Sequence, residues 1–207
     1  MLERFWGFFF IHKENQRMNY NDYQRLFSEI LNGNITDSPY TDPHYLDYVK
    51  LNESRQNRWL KTGKLSTETR STIQSIATEQ HWLLITEPWC GDAAQLLPIF
   101  NKMSLASEGK IEMKIVLRDE HLELMDHFLT NNARAIPKLI VIDKNTYEAL
   151  AHWGPRPKGA VELIQNYKKQ HGVVDETAKA DLQLWYLHDK GVSTQNEILD
   201  IMLSLEQ

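Results

Sequence analysis

Cysteine is almost missing from this chain, which has one, Cys90, in 207 residues. A single thiol cannot close an internal disulfide, and without co-ligands at metal spacing it cannot anchor a structural zinc site. That excludes a disulfide-stapled secreted scaffold and leads us to expect a reducing, cytoplasmic location. Positive charge is also scarce. Lysine and arginine number 23 against 28 aspartates and glutamates, a formal net charge of −5, so no basic footprint exists for a nucleic-acid backbone. No apolar run approaches the roughly 20 residues that cross a bilayer. The run Phe5–Ile11 in MLERFWGFFFIHKENQR is short even for a signal-peptide core, and no small-residue cleavage site follows it. Residues 1–17 therefore read as an arm that covers its own domain or docks on a partner or membrane surface, with Met18 as an alternative start. Phosphate loops, dinucleotide fingerprints and Gly-x-Ser-x-Gly elbows are lacking too. Eight histidines occur, but His121 and His127 are six apart and share no helix face, so no metal is expected.

What is present is a foldable core. Apolar residues make up 42% of the chain, enough for one domain with elaborations or two small ones. Tyr20, Tyr23, Phe27, Ile30 and Leu31 recur at helical spacing up to Gly33. A second helix is expected from Pro43 to about Leu60, with a stripe weak enough to be mostly solvated. Ser66 caps a third that carries Ile73, Ile76 and Ala77. After Gln80 the pattern changes to strands: HWLLIT as a buried run, IEMKIVL by alternation, and KLIVI with YEALAHW as a hairpin. Helices are expected over 92–107, 120–129 and after Pro157. Beyond Gly172 a stripe of Ala178, Leu182, Trp185 and Tyr186 ends at Gly191, and Thr194 with Glu197 has the spacing of a capping box for a last helix. This order implies an α/β core with a mixed sheet.

Three motifs in this order resemble the thioredoxin family. WCGDAAQLLP places Cys90 and Pro98 as that family places the first cysteine of Trp-Cys-Gly-Pro-Cys and its helix proline. ARAIPKLIVID is similar to the family's Arg-Gly-Ile-Pro-Thr segment, and GPRPKGAVELI to its Gly-rich turn into the last helix. The resemblance covers residues 66–171 and implies a thioredoxin-like fold, with helical extensions over 18–65 and 172–207. It also implies a cis bond between Ile136 and Pro137, lying against Cys90 and shaping a groove in which Ile136 pairs with an extended peptide. Two departures matter: Ala93 stands where the family has its resolving cysteine, and Leu84 where many members bury an aspartate. The dithiol cycle is therefore closed to this chain.

A thiol in a first helical turn faces unpaired amides and the positive end of the helix dipole, which favour thiolate. Asp92 and the loss of a second thiol oppose this, so an accessible thiol with a modestly lowered pKa is expected. Such a thiolate could capture a partner as a mixed disulfide, but release needs a second thiol, glutathione or another external one, and no bound cofactor. Two functions follow. One is a monothiol thiol-disulfide oxidoreductase or thioltransferase acting on protein or peptide thiols and disulfides, with Cys90 as nucleophile and Trp89, Gly91, Asp92, Ile136 and Pro137 around the substrate. The other is a redox-inactive binding module that uses the same groove. Each residue also has a plainer role: Cys90 as a small core hydrophobe, Trp89 as core, Asp92 as a first-turn acid, Pro137 as an ordinary turn proline.

Overall fold

A computed structural model describes residues 17–206; all but the last residue of the N-terminal arm lies outside the described residues. Helix α1, Tyr20–Leu31, starts at Asn19, whose side chain accepts the Asp22 N–H, and buries Tyr20, Tyr23, Phe27 and Ile30. Helix α2, Pro43–Thr62, starts at Asp42 in the same way. Its buried face is Val49, Asn52, Gln56 and Trp59, so the helix is a packed wall rather than a solvated rod. Two of those four are amides, which is why the apolar stripe is weak. Both are satisfied: Gln56 accepts from the Tyr20 hydroxyl at 2.9 Å, and Asn52 donates to the Pro88 carbonyl at 3.0 Å. Helix α3, Thr67–Ser75, is capped by Ser66.

Strand β1, Gln80–Thr86, is buried along its whole length and lies at the centre of the sheet. It pairs in parallel with β2, Ile111–Leu117, and antiparallel with β3, Lys138–Asp143; β3 pairs antiparallel with β4, Ala149–Trp153. Among the described residues the order is β2-β1-β3-β4. Helix α4, Gly91–Ala106, crosses from β1 to β2, the connection that a parallel pair requires. Helix α5 is shorter than the period suggests, Leu122–Asp126. The chain turns at His127, buries Phe128 and closes a Thr130–Ala133 bridge with Asn131 and Asn132 in left-handed conformation. No strand among the described residues precedes Gln80. The outer edge of β2 instead takes one antiparallel bridge from Met18, with both Met18–Ile115 hydrogen bonds at 2.8 Å, and α1 packs on the same strand.

Helices α6 (Lys158–His171), α7 (Glu176–Asp189) and α8 (Val192–Leu205) complete the chain. Helix α7 buries Ala178, Leu182 and Tyr186. The expected capping box at the head of α8 does not form. The helix already begins at Val192, so Thr194 is buried inside it, and Glu197 turns outward to accept from the Lys158 amide and the Trp153 indole, both at 2.7 Å. Glu197 thus caps a different helix, α6. Gln95 on α4 accepts from Trp59 on α2 at 2.6 Å and donates to Gln183 on α7 at 2.7 Å, tying the flanking helices to the one that carries the thiol.

Candidate functional site

The site begins where β1 ends. Glu87, Pro88 and Trp89 turn the chain, the Cys90 N–H bonds the Glu87 carbonyl at 3.0 Å, and Cys90 becomes the N-cap of α4. In that position the backbone amides of Asp92 and Ala93 face the sulfur. The Ile136–Pro137 bond is cis and sits against the thiol: Cys90 Sγ donates to the Ile136 carbonyl at 3.5 Å. Pro137 is held in turn by Gly154, whose φ of +117° and close approach leave no room for a side chain; a Cβ there would lie 2.4 Å from the Pro137 oxygen. Buried Lys138 secures the same loop by donating to the Gly154 carbonyl at 3.1 Å and to Thr130 Oγ1 at 2.7 Å.

The thiol itself departs from expectation. Cys90 is only 6% exposed, and its pKa is pushed up to about 12 instead of down. Burial is the largest cause and the Asp92 charge the next; the two amides and Arg156 pull the other way without prevailing. A helix N-terminus favours thiolate only where enough solvent or positive charge reaches the sulfur. Here Arg156 is already committed. Its guanidinium grips Asp92 with Nε at 3.0 and 2.9 Å from the two carboxylate oxygens and Nη2 at 2.8 Å, while the buried Tyr186 hydroxyl donates to the same carboxylate at 2.8 Å. Asp92 is thus the centre of a buried knot that joins α4, the loop before α6 and α7. Burial opposes the charge on Arg156, but Asp92 outweighs it and holds the guanidinium pKa above its ordinary value.

Trp89 is half-buried, meeting Tyr45 edge to face at 5.7 Å and lying under the Arg118 guanidinium at 4.9 Å. It forms one wall of a cleft of about 530 Å³ over Cys90. The other walls come from α2 (Tyr45, Tyr48, Arg55), from Gly91 and Asp92 at the head of α4, from Ile136, and from Lys179 and Gln183 on α7. The structure therefore gathers Trp89, Cys90, Gly91, Asp92 and Ile136 around one cleft, with Pro137 directly behind Ile136. Sequence reasoning missed Tyr45, Tyr48, Arg55, Arg156, Lys179 and Gln183. Arg156 stands inside the GPRPKG turn that carries the third motif, a usable signal, whereas no period or spacing marks the residues on α2 and α7. Also missed was Glu87, 3% exposed, whose carboxylate accepts the Asp119 N–H at 2.9 Å. Burial raises its pKa from 4.5 to about 7, against the pull of that hydrogen bond.

A family model described as thioredoxin matches residues 40–168, well over half of the chain. The chain belongs to the thioredoxin family. The match begins before α2, so the helix supplying Tyr45, Tyr48 and Arg55 falls within the part of this thioredoxin-family protein that the model covers. No curated protein matches it. Among solved structures it is similar to a protein of unknown function from Pseudomonas aeruginosa, 19% identical, with a TM-score of 0.54 over 78% of this chain and 86% of that one. It is also similar to an HIV epitope-scaffold, 18% identical, with a TM-score of 0.53 over 90% of this chain and 99% of the other. Both likenesses concern the fold. No helix among the described residues is long and apolar enough to cross a membrane.

Proposed function

We propose that this thioredoxin-family protein is a binding module that takes a small molecule or short peptide into the cleft above Cys90, with the thiol protonated and acting as a hydrogen-bond donor. The observation that carries this reading is the state of the sulfur: 6% exposed, bonded to the Ile136 carbonyl, with its pKa near 12. At neutral pH such a group stays in the thiol form. The cleft volume falls within the roughly 300–1,000 Å³ of small-molecule sites. Aromatic walls with a few fixed polar groups suit the same kind of ligand.

A second reading, monothiol exchange in a reducing cytoplasm, is favoured by one feature, the two amides turned toward Sγ. In that reaction Cys90 thiolate attacks R–S–S–R′, the Cys90–S–S–R bond forms, and R′–S⁻ leaves and takes up a proton. An external thiol R″–SH, glutathione for example, then releases R–S–S–R″ and restores Cys90. Ligand entry would have to lift the burial of the sulfur first. The readings separate on the pH profile of iodoacetamide alkylation, followed by mass spectrometry. The binding reading expects alkylation of folded protein to keep rising to pH 11 without an inflection, while urea-unfolded protein shows one near 9, the ordinary value. An inflection at or below about 8.5 in the folded protein would sink it and favour exchange.

A further inference from the structure

The charges around the cleft do not balance, and the imbalance falls on one side chain. Two acids and three cations line it as Asp92, Glu176, Arg55, Arg156 and Lys179. Asp92 is consumed by Arg156, and Glu176 by Lys179 at 2.6 Å, with Lys179 also donating to the Tyr48 hydroxyl at 3.2 Å. Arg55 is left over. Among the described residues its guanidinium has an amide partner, donating from Nη1 to Asn52 Oδ1 at 2.8 Å, and no acidic one. It is half-buried, and Asn52 is itself fixed on the Pro88 carbonyl, so the fork is held in place. It also lies close to the sulfur's own helix: a Cβ on Gly91 would be 3.4 Å from Arg55 Nη1 and 3.7 Å from Gln183 Nε2. A held guanidinium with free donors, facing a cleft with aromatic walls, is a carboxylate receptor by the geometry of its fork.

We propose that the cleft selects small molecules in which a carboxylate adjoins an apolar body, Arg55 taking the carboxylate while Trp89, Tyr45 and Tyr48 take the body. This deepens the binding reading and rests on it. Burial and the neighbouring Arg58 lower the Arg55 pKa from its ordinary value, and Asp92 and Tyr48 partly restore it; an incoming anion would relieve the same cost.

The test is calorimetric titration of the full chain with 4-phenylbutyrate and with its neutral isostere 4-phenylbutanamide. The acid is expected to bind at least about tenfold more tightly than the amide, the advantage shrinking as salt rises from about 50 to about 500 mM. Arg55→Gln should abolish the preference for the acid over the amide, while Arg55→Lys retains part of it. Equal affinity of acid and amide in the wild type overturns anion selection but leaves the binding reading standing, as does a preference that survives Arg55→Gln. Failure of both ligands to bind at millimolar concentration overturns both. Should Arg55→Gln lose amide binding as well, Arg55→Lys decides: a retained preference for the acid supports the proposal, and its disappearance refutes it.

Discussion

Replacing Asp92 by asparagine tests the knot under the thiol, because it removes a charge while keeping the shape. In the wild type one carboxylate, 9% exposed, accepts three contacts from Arg156 within 3.0 Å and one from Tyr186. Removing one partner of a fully buried pair costs about 3–5 kcal/mol because the other charge is stranded. Arg156 keeps 29% of its side chain in solvent, and an asparagine oxygen can still accept from Tyr186, which brings the expected cost down to about 2–3 kcal/mol. For a chain of this size that corresponds to a fall in Tm of about 5–10 °C. The same substitution should act on Cys90 in the opposite sense. Asp92 is, after burial, the largest influence keeping the thiol protonated, and Arg156 opposes it, so Asp92→Asn should shift the alkylation profile to lower pH. Urea unfolding reads the first effect as a lower midpoint at constant slope, and the pH profile of alkylation reads the second. A loss below about 0.5 kcal/mol with an unmoved alkylation profile would refute the account, since Asp92 would then be neither counter-charge nor electrostatic lock. Arg156→Met should destabilise comparably but raise the thiol pKa further, and the double variant should cost less than the sum of the two.

Two other substitutions probe the surroundings. The Glu87 pKa rises from 4.5 to about 7 on folding, so its contribution to stability is fully present below about pH 4.5 and is lost as pH rises through 7. Glu87→Gln should remove a fall on the order of 3 kcal/mol between those limits. The difference between variant and wild-type denaturation curves isolates it from His81, whose lowered pKa has the opposite slope; parallel curves would show that Glu87 is not the group responsible. Gly154→Ala places a methyl 2.4 Å from the Pro137 oxygen at a φ of +117°, and should cost several kcal/mol, on the order of 3 or more, by forcing the loop apart. A thermal midpoint within about 2 °C of wild type would show that the loop can yield there.

Much of the fold is legible because its elements are locally consistent. The alternation in IEMKIVL, the apolar run after Gln80 and the Tyr20–Leu31 stripe each correspond to a strand or helix within a residue or two. Legibility fails where polar groups replace apolar ones in the interior. The buried face of α2 looks solvated because Asn52 and Gln56 find partners on other elements, and Thr194 looks like a cap because a buried threonine and a capping one are the same letter. The candidate site divides in the same way. Trp89, Cys90, Gly91, Ile136 and Pro137 can be picked out since each lies in a contiguous motif, whereas Arg55, Arg156 and Tyr186 meet Asp92 and Gly91 from segments far apart in sequence. The direction of the Cys90 shift is not readable for the same reason: the helix start is local, but the burial that overrides it is tertiary, with the turn before β3 set against the sulfur.

That origin of the burial has a consequence for the chain before it is finished. Tyr48 and Lys179, which meet across the cleft, stand 131 residues apart, so closing the walls of the cleft costs more chain entropy than forming the local hairpins and helices. In the unfolded chain Cys90 is an ordinary cysteine, wet and open to oxidants. Chemical quiet at this sulfur is thus acquired on folding, and its reactivity reports the fraction of chains that are unfolded.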